Sequence, residues 1–316
     1  MLPPTIVTVG ELLVEFVSHK KGCNLRDLTE YSGPYPSGAP AICIDQAARL
    51  GASTYVFGTV GDDSFGAALT QRLQSNGVNT SGINRLPDKT TGVAFVSYFE
   101  DGSRTFIFHL DGTAADAIDA DTIQLPSGPL IMHFSGSSLS NPTLRKAIDQ
   151  TVKEVLNRGG QISCDPNARA ELMQDAEIKT TLIRAVEKSS YLFPSEVDLA
   201  FLYPDLTQDE AIKHLIQCGV KTIALTQGEK GSTIFTSGEE PLHLKGYCVD
   251  EIDPTGAGDC FCGTFLAMMT SGHSPKVSGQ YANAAGAIAV TRRGPMEGNS
   301  SLDTIKDFIQ TNSATQ

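Results

Sequence analysis

Basic residues are scarce in this chain. Its 316 residues carry 24 Lys and Arg against 36 Asp and Glu, a formal net charge of −12. Nucleic acids and anionic membranes demand basic patches, so neither is expected as a main partner, although a locally basic pocket for a nucleotide stays compatible. No apolar run approaches a membrane span, and residues 1–9 lack a charged n-region and an apolar h-region, so the expected location is cytoplasmic. Cysteine pairing signals are missing as well. The seven cysteines are an odd number without any Cys-x-x-Cys, which suits reduced, mostly buried thiols in a reducing compartment. Cys260 and Cys262 stand at i, i+2 in a helical pattern, face apart and make poor co-ligands. No His-Glu-x-x-His occurs, which argues against a zinc enzyme, and no Gly-Lys dipeptide occurs, which excludes a Walker-type NTPase. A Rossmann oxidoreductase would need Gly-x-Gly-x-x-Gly after an early strand. Gly58-Thr-Val-Gly61 has the wrong spacing, and Gly256-Ala-Gly258 runs on to Phe261 instead of a third glycine.

What is present is an α/β rhythm. With 40% hydrophobic and 19% charged residues the chain can bury a large core. Residues 5–9 form a β-branched run ended by Gly10, 11–17 continue extended, and a polar, loop-like region follows through Pro36. A helical pattern over 39–50 closes at Gly51, a strand is expected at 54–60, and Ser64 is the expected cap of a helix through Gln74. The order β-α-β-α marks a parallel sheet with helices on both faces. Residues 92–110 break it, reading as a hairpin with a turn at Asp101-Gly102 that lies outside the parallel sheet or at its edge. Alternation then resumes, with strands at 130–134, 161–164, 191–193 and 222–225 and helices at 141–156, 178–187 and 208–217. A second antiparallel pair is expected at 232–235 and 242–249, then helices at 258–269, 275–291 and near 302–309, with 312–316 frayed.

The most informative stretch is Asp253-Pro-Thr-Gly-Ala-Gly-Asp259, between an extended segment and an apolar helical pattern. N–H groups at a helix start have no intrahelical partner, the helix dipole adds positive charge there, and small residues let an anion approach. A carboxylate at Asp259 is counterproductive for anion binding alone, but useful if it must take a proton from an attacking hydroxyl.

This run resembles the second signature of the PfkB/ribokinase family of carbohydrate kinases, usually Asp-Thr-x-Gly-Ala-Gly-Asp, with Pro254 as the departure. The resemblance implies that Asp259 is the catalytic base and that the amides of Gly256, Ala257 and Gly258 form the anion hole. Further matches follow in the family's order. Ser37-Gly38-Ala39, Ala48-Arg49-Leu50-Gly51 and Val60-Gly61-Asp62-Asp63-Ser64-Phe65-Gly66 correspond to the first signature, with Ile42 where a sugar-binding Asn is usual. Glu15 stands where relatives place an Asp that bonds sugar hydroxyls, and its two oxygens can accept from vicinal hydroxyls. Asp165-Pro-Asn-x-Arg169 supplies Arg169 as partner of the transferring phosphoryl group, since its fork matches phosphate oxygens. Thr226, Gly228 and Gly231 are the implied ATP contacts, and Asn283 falls where the family packs against adenine. The magnesium-organising Asn-x-x-Glu appears as Ser195-Glu-Val-Asp198, leaving Asp198 to act through water.

The family fold is a ribokinase-like three-layer αβα domain, with a mostly parallel doubly wound sheet and a small β-sheet lid. Here that implies a single domain over 1–316 with a lid from about 11–36 and 91–112, and a homodimer built on the lid. The implied activity is transfer of the ATP γ-phosphate to a primary hydroxyl of a small carbohydrate, with Mg2+ and a monovalent cation such as K+. The remaining substrate contacts, Gly38, Ala39, Phe108 and His109, come from the first signature and the hairpin. The Asp-Pro-Asn-x-Arg form resembles the fructokinase and 2-keto-3-deoxygluconate kinase branch. Many 2-keto-3-deoxygluconate kinases carry Tyr-Tyr-Arg where Phe108-His109-Leu110 aligns, and Leu110 cannot pair with a carboxylate. A neutral ketohexose, fructose or tagatose, is therefore expected. A 2-keto-3-deoxygluconate kinase is the alternative, and a non-catalytic sugar-binding protein on the same fold is the alternative of another class.

Overall fold

The computed structural model describes residues 2–99, 104–168 and 176–313. The first strand, β1 (Thr5–Val9), is almost wholly buried and pairs in parallel with β4 (Thr54–Gly61) on one side and β8 (Leu130–Ser135) on the other. Outside β4 lies β5 (Asn79–Leu86). Outside β8 follow β9 (Gln161–Asp165), β10 (Tyr191–Leu192) and β11 (Thr222–Thr226), all parallel, and then the antiparallel β12 (Gly231–Thr236) and β13 (Leu242–Lys245). The sheet thus has nine strands in the order β13-β12-β11-β10-β9-β8-β1-β4-β5. The chain builds outward from β1 in one direction and from β8 in the other. The crevice beyond the carboxyl ends of β1 and β8 is the topological switch point, where open α/β sheets bind ligands.

Apolar faces of helices cover both sides. On one, α3 (Pro142–Asn157), α4 (Ala176–Glu187), α5 (Glu196–Leu202) and α6 (Gln208–Gln217) pack around Phe134, Ile148, Leu182 and Leu215. On the other, α1 (Ala39–Arg49), α2 (Ser64–Ser75), α7 (Ala257–Thr270) and α8 (Pro275–Ala289) enclose Ile44, Leu69 and Phe265. A last helix, α9 (Leu302–Ser313), packs Ile305 against α8. This is the expected doubly wound, mostly parallel three-layer architecture. Among the described residues no helix is long and apolar enough to cross a membrane. All seven cysteines are free and five are buried.

A second sheet of four strands sits beside the first in the order β3-β2-β6-β7. It comprises β2 (Leu13–Ser18), β3 (Tyr31–Ser37), β6 (Gly92–Tyr98) and β7 (Arg104–His109). Its outer pairs are antiparallel, but β2 and β6 run parallel in register from Leu13↔Gly92 to Val17↔Val96. The expected Asp101-Gly102 turn lies outside the described residues.

Several local readings need correction. The region through Pro36, read as loop-like though expected to contribute to the small sheet, contains a defined strand, β3, because a half-exposed edge strand needs no apolar alternation. The polar edge strand β5 and the short helix α5 carried too little periodicity to be foreseen. β13 stops at Lys245, short of residue 249, and α9 runs through Asn312 and Ser313 instead of fraying. The cap of α2 is Asp63, not Ser64. Its carboxylate accepts from Gly66 N at 2.8 Å, and also from Thr91 N at 2.7 Å and Thr91 Oγ1 at 2.8 Å, so it ties the helix start to the entry of β6.

Burial pushes the Asp63 carboxyl up, but the donors from Gly66 and Thr91 outweigh it and its pKa is lowered. A depressed carboxyl contributes stability above its unfolded pKa, about 3.9, and loses it as pH falls through the folded value. Asp63→Ala should therefore destabilise by about 1–2 kcal/mol at neutral pH. The gap between the two urea-unfolding curves should close as the pH drops below about 4. An equal gap at both pH values would show that the carboxylate's charge does not matter.

Candidate active site

The start of α7 is set by backbone geometry. Gly256 is its N-cap in the left-handed region, φ 82°, and a Cβ there would lie 2.3 Å from the Pro295 carbonyl oxygen. Only glycine fits. Ala257 opens the helix, Gly258 follows, and Asp259 occupies the first turn, 9% exposed. A Cβ on Gly258 would meet only Asp165 Oδ2, at 3.8 Å, so the opening of α7 faces the carboxyl end of β9. First-turn N–H groups, the dipole and two glycines make this a surface an anion can approach closely.

The loop leading in is held by Asp253, 1% exposed. Its Oδ1 accepts from Thr255 N at 3.0 Å and its Oδ2 from Gly294 N at 2.8 Å. The Tyr98 hydroxyl, from the end of β6, donates to Asp253 Oδ1 and is also in hydrogen-bond contact with Thr255 Oγ1. Burial first, and then the Asp253 charge, push the tyrosine pKa up, so it stays a protonated donor. The small sheet is thereby fastened to the loop that positions α7.

A cavity of about 670 Å³ lies at the switch point, between the two sheets and α7. It brings together Glu15, Gly38, Ala39, Phe108, His109, Gly256, Gly258 and Asp259, all picked from the sequence, along with Ile42 and Leu110. It also contains Asn167 of the Asp165-Pro-Asn-x-Arg169 motif, and residues that sequence reasoning did not place in the site, among them Glu11 and Ser138. Glu11 follows Gly10, one residue past the end of β1, and accepts from Ser138 Oγ at 2.5 Å. Its position just beyond the carboxyl end of a central strand was the available signal. Glu15 accepts from Ser37 Oγ at 3.4 Å. Among the described residues, five carboxylates line this cavity, Glu11, Glu15, Asp111, Asp165 and Asp259, with Arg104 and His109 as basic side chains.

A smaller chamber of about 270 Å³ adjoins it and shares Arg104, Asp165, Asn167 and Gly258 with it. Ser195, Asp198 and Thr226 line this side, and Asn167 holds a positive φ of 36°. Asp198 Oδ2 accepts from Ser195 N at 2.7 Å and Ser195 Oγ at 2.6 Å, and Oδ1 accepts from Ala168 N at 2.7 Å. Its altered motif is thus a capping box for α5. Asp165 and Asp198 are the carboxylates here, a hard oxygen donor set that suits Mg2+. With both oxygens already accepting, Asp198 fits an outer, water-mediated position.

Three expected nucleotide contacts line neither chamber. Gly231 packs its backbone where a Cβ would lie 2.1 Å from Leu244 O, Gly228 sits at an open turn with φ 58°, and Asn283 donates to Leu244 O at 3.0 Å. Asn283 therefore clamps α8 to β13, a part its Ala/Gly-rich surroundings gave no sign of. Arg169 lies outside the described residues.

Comparison with known proteins fits this geometry. The family model described as pfkB family carbohydrate kinase matches residues 4–302. The chain belongs to that family. Among its pfkB relatives, the fructokinase of Vibrio alginolyticus is 33% identical, over 83% of this chain and 87% of its own. The Escherichia coli "putative Ribokinase II" in complex with ATP and Mg2+ superposes with a TM-score of 0.91 at 39% identity, covering 98% and 99% of the two chains. Vibrio cholerae O395 fructokinase, bound to fructose, ADP and calcium, gives 0.85 at 25%, covering 96% and 98%. A double mutant of the same fructokinase holds fructose, ADP and potassium.

In this pfkB kinase, Tyr98→Phe keeps the ring and removes the hydroxyl, leaving Asp253 and Thr255 short of a buried partner. The expected loss is about 1–3 kcal/mol in urea unfolding, with faster amide exchange across residues 253–259. Wild-type stability and exchange would mean that the small sheet is not fastened through this hydroxyl.

Proposed function

We propose that this chain is an ATP-dependent ketohexose kinase, transferring the γ-phosphoryl group to a primary hydroxyl of a sugar of the fructose or tagatose type. The observation that carries the reading is Asp259 in the first turn of α7, beside a glycine-formed anion surface and inside a cavity lined by five carboxylates. Hydroxyl-rich neutral sugars satisfy carboxylate acceptors, whereas an anionic substrate would meet like charge. Glu15, Glu11, Gly38 and Ala39 are the residues we assign to the sugar, with Phe108 and His109 closing over it from β7. Asp259 takes the proton of the attacking hydroxyl, and the amides of Gly256, Ala257 and Gly258 bond the charge on the transferred group. Arg169 is the proposed further cation. ATP is assigned to the side of Thr226, with Gly228, Gly231 and Asn283 shaping its rim. Asp165, with Asp198 through water, would hold a magnesium ion, which would supply positive charge to offset that of the phosphate groups. The relatives bound to ATP with Mg2+, and to ADP with calcium or potassium, support a divalent and a monovalent cation.

We read residues 1–316 as one kinase domain in which the second sheet acts as lid, excluding water from the transfer. Ile107 and Phe108 on its edge strand are 53% and 39% exposed, which supports a homodimer built on that edge. Net charge and the cysteine pattern support a cytoplasmic enzyme.

A 2-keto-3-deoxygluconate kinase is the second reading, and one observation favours it. Arg104 lines both chambers and could meet a substrate carboxylate where Leu110 cannot. ADP release over a sugar panel separates the readings, and its absence with every sugar would leave a non-catalytic binder. Neutral ketoses should exceed the keto acid in kcat/KM by at least about tenfold, roughly 1.4 kcal/mol. The reverse order, abolished in Arg104→Met, would identify Arg104 as the carboxylate's partner.

Asp259→Asn keeps size and hydrogen bonding but removes basicity. Turnover should fall by about 10²–10⁴ while ATP affinity holds. More than half of wild-type turnover in the variant would remove Asp259 from this role.

A further inference from the structure

Neither chamber contains Glu187, His214 or Cys218, yet these three converge at one place on the surface. Glu187 is the last residue of α4. His214 and Cys218 stand at i, i+4 at the end of α6, on one helix face. His214 Nε2 lies 3.0 Å from Glu187 Oε1 and 3.6 Å from Cys218 Sγ, and all three ligand atoms fall within 4.8 Å of one another. Zinc binds nitrogen and oxygen at about 2.0–2.1 Å and thiolate sulfur at about 2.3 Å. A tetrahedral arrangement then sets nitrogen and oxygen about 3.3 Å apart, and nitrogen and sulfur about 3.6 Å apart. The nitrogen–sulfur separation matches, the nitrogen–oxygen separation is about 0.3 Å short of it, and the oxygen–sulfur pair lies within 4.8 Å, so small side-chain adjustments suffice.

We propose that Glu187, His214 and Cys218 form a zinc-type metal site that joins the ends of α4 and α6, with water in the fourth position. The ligand set is one soft thiolate, one imidazole and one carboxylate, which selects zinc over the magnesium used with nucleotides. Ion entry is open, since the His214 and Glu187 side chains are 41% and 31% exposed and Cys218 is exposed. The imidazole is oriented by Tyr203, whose ring meets it edge-on at 5.4 Å. On binding, Cys218 loses its thiol proton to solvent and the neutral imidazole donates its Nε2 lone pair. Without a metal, the first effect on Cys218 is burial and the second the Glu187 charge, and both push the thiol pKa up. A divalent cation between them reverses that repulsion, so affinity rises with pH.

Tyr203 is also the C-cap of α5, whose first turn carries Asp198 at the smaller chamber. The site therefore braces the helix layer behind the nucleotide side and is separate from the chemistry.

Cobalt(II) titration of the tag-free full chain, without nucleotide, tests the assignment. One equivalent should bind with a thiolate-to-cobalt charge-transfer band and tetrahedral visible absorption, and zinc should displace it. Cys218→Ser should abolish the band. His214→Ala should weaken binding by more than the roughly 10–100-fold that loss of an outer partner costs. Both variants are compared with wild type in metal-free urea unfolding to establish that they fold. X-ray absorption at the zinc edge of the wild-type chain reads the ligands without any variant, and should find one sulfur with nitrogen and oxygen neighbours. A shell of nitrogen and oxygen alone, or a charge-transfer band unchanged in Cys218→Ser, would overturn the site.

Discussion

The site depends on how one buried carboxylate is shared. Asp253 accepts from the Tyr98 hydroxyl of the small sheet, from the Thr255 amide of its own loop and from the Gly294 amide of the segment after α8. Three parts of the chain, remote in sequence, are brought to one side chain of two oxygens. That junction fixes where the loop ends, and so where Gly256 must turn left-handed against the Pro295 carbonyl. The direction of α7, and with it the aim of Asp259, follows from that turn. A charge so fully hydrogen-bonded is tolerable at 1% exposure, while removing any one donor would leave an expensive remainder.

Much of this was legible in the residues. The loop-to-helix junction at 253–259 needed no tertiary information, because Gly256 and Gly258 signal a special backbone; a first-turn acid is common, and the role of Asp259 was read from the family signature. The parallel sheet followed from the alternation of short β-branched runs with helical patterns. What stayed hidden depended on partners far along the chain. The polar edge strand β5 is a strand only because β4 lies beside it, and β3 only because β2 does. Glu11 reads as an ordinary residue after a glycine until β8 brings Ser138 to it. Asn283 and Gly231 show the opposite case, since their immediate geometry is accounted for by contacts with β13 that no local pattern announces.

Electrostatics divide the crevice into two regions with different tasks. Among the described residues the larger cavity has more carboxylate acceptors than cations, a surface for hydroxyl groups. The smaller chamber is lined by Asp165 and Asp198, and by Arg104 from the second sheet. Gly258 belongs to both, so the opening of α7 forms the wall between them. A group passing from one side to the other must cross the place where the helix start is most positive.

The parallel pairing of β2 with β6 has a consequence for how the molecule is assembled. A hairpin can close on itself, but Leu13 meets Gly92 only after β4, β5 and the helices between them have been laid down. The covering sheet therefore has two local pairs, β2 with β3 and β6 with β7, but no local way to join them. It inherits its order from the finished left half of the main sheet, through a closure whose entropy is offset only by contacts formed last. A chain emerging from synthesis holds β2 and β3 as an unsupported pair until residue 92 arrives, so the cavity acquires its roof after its floor.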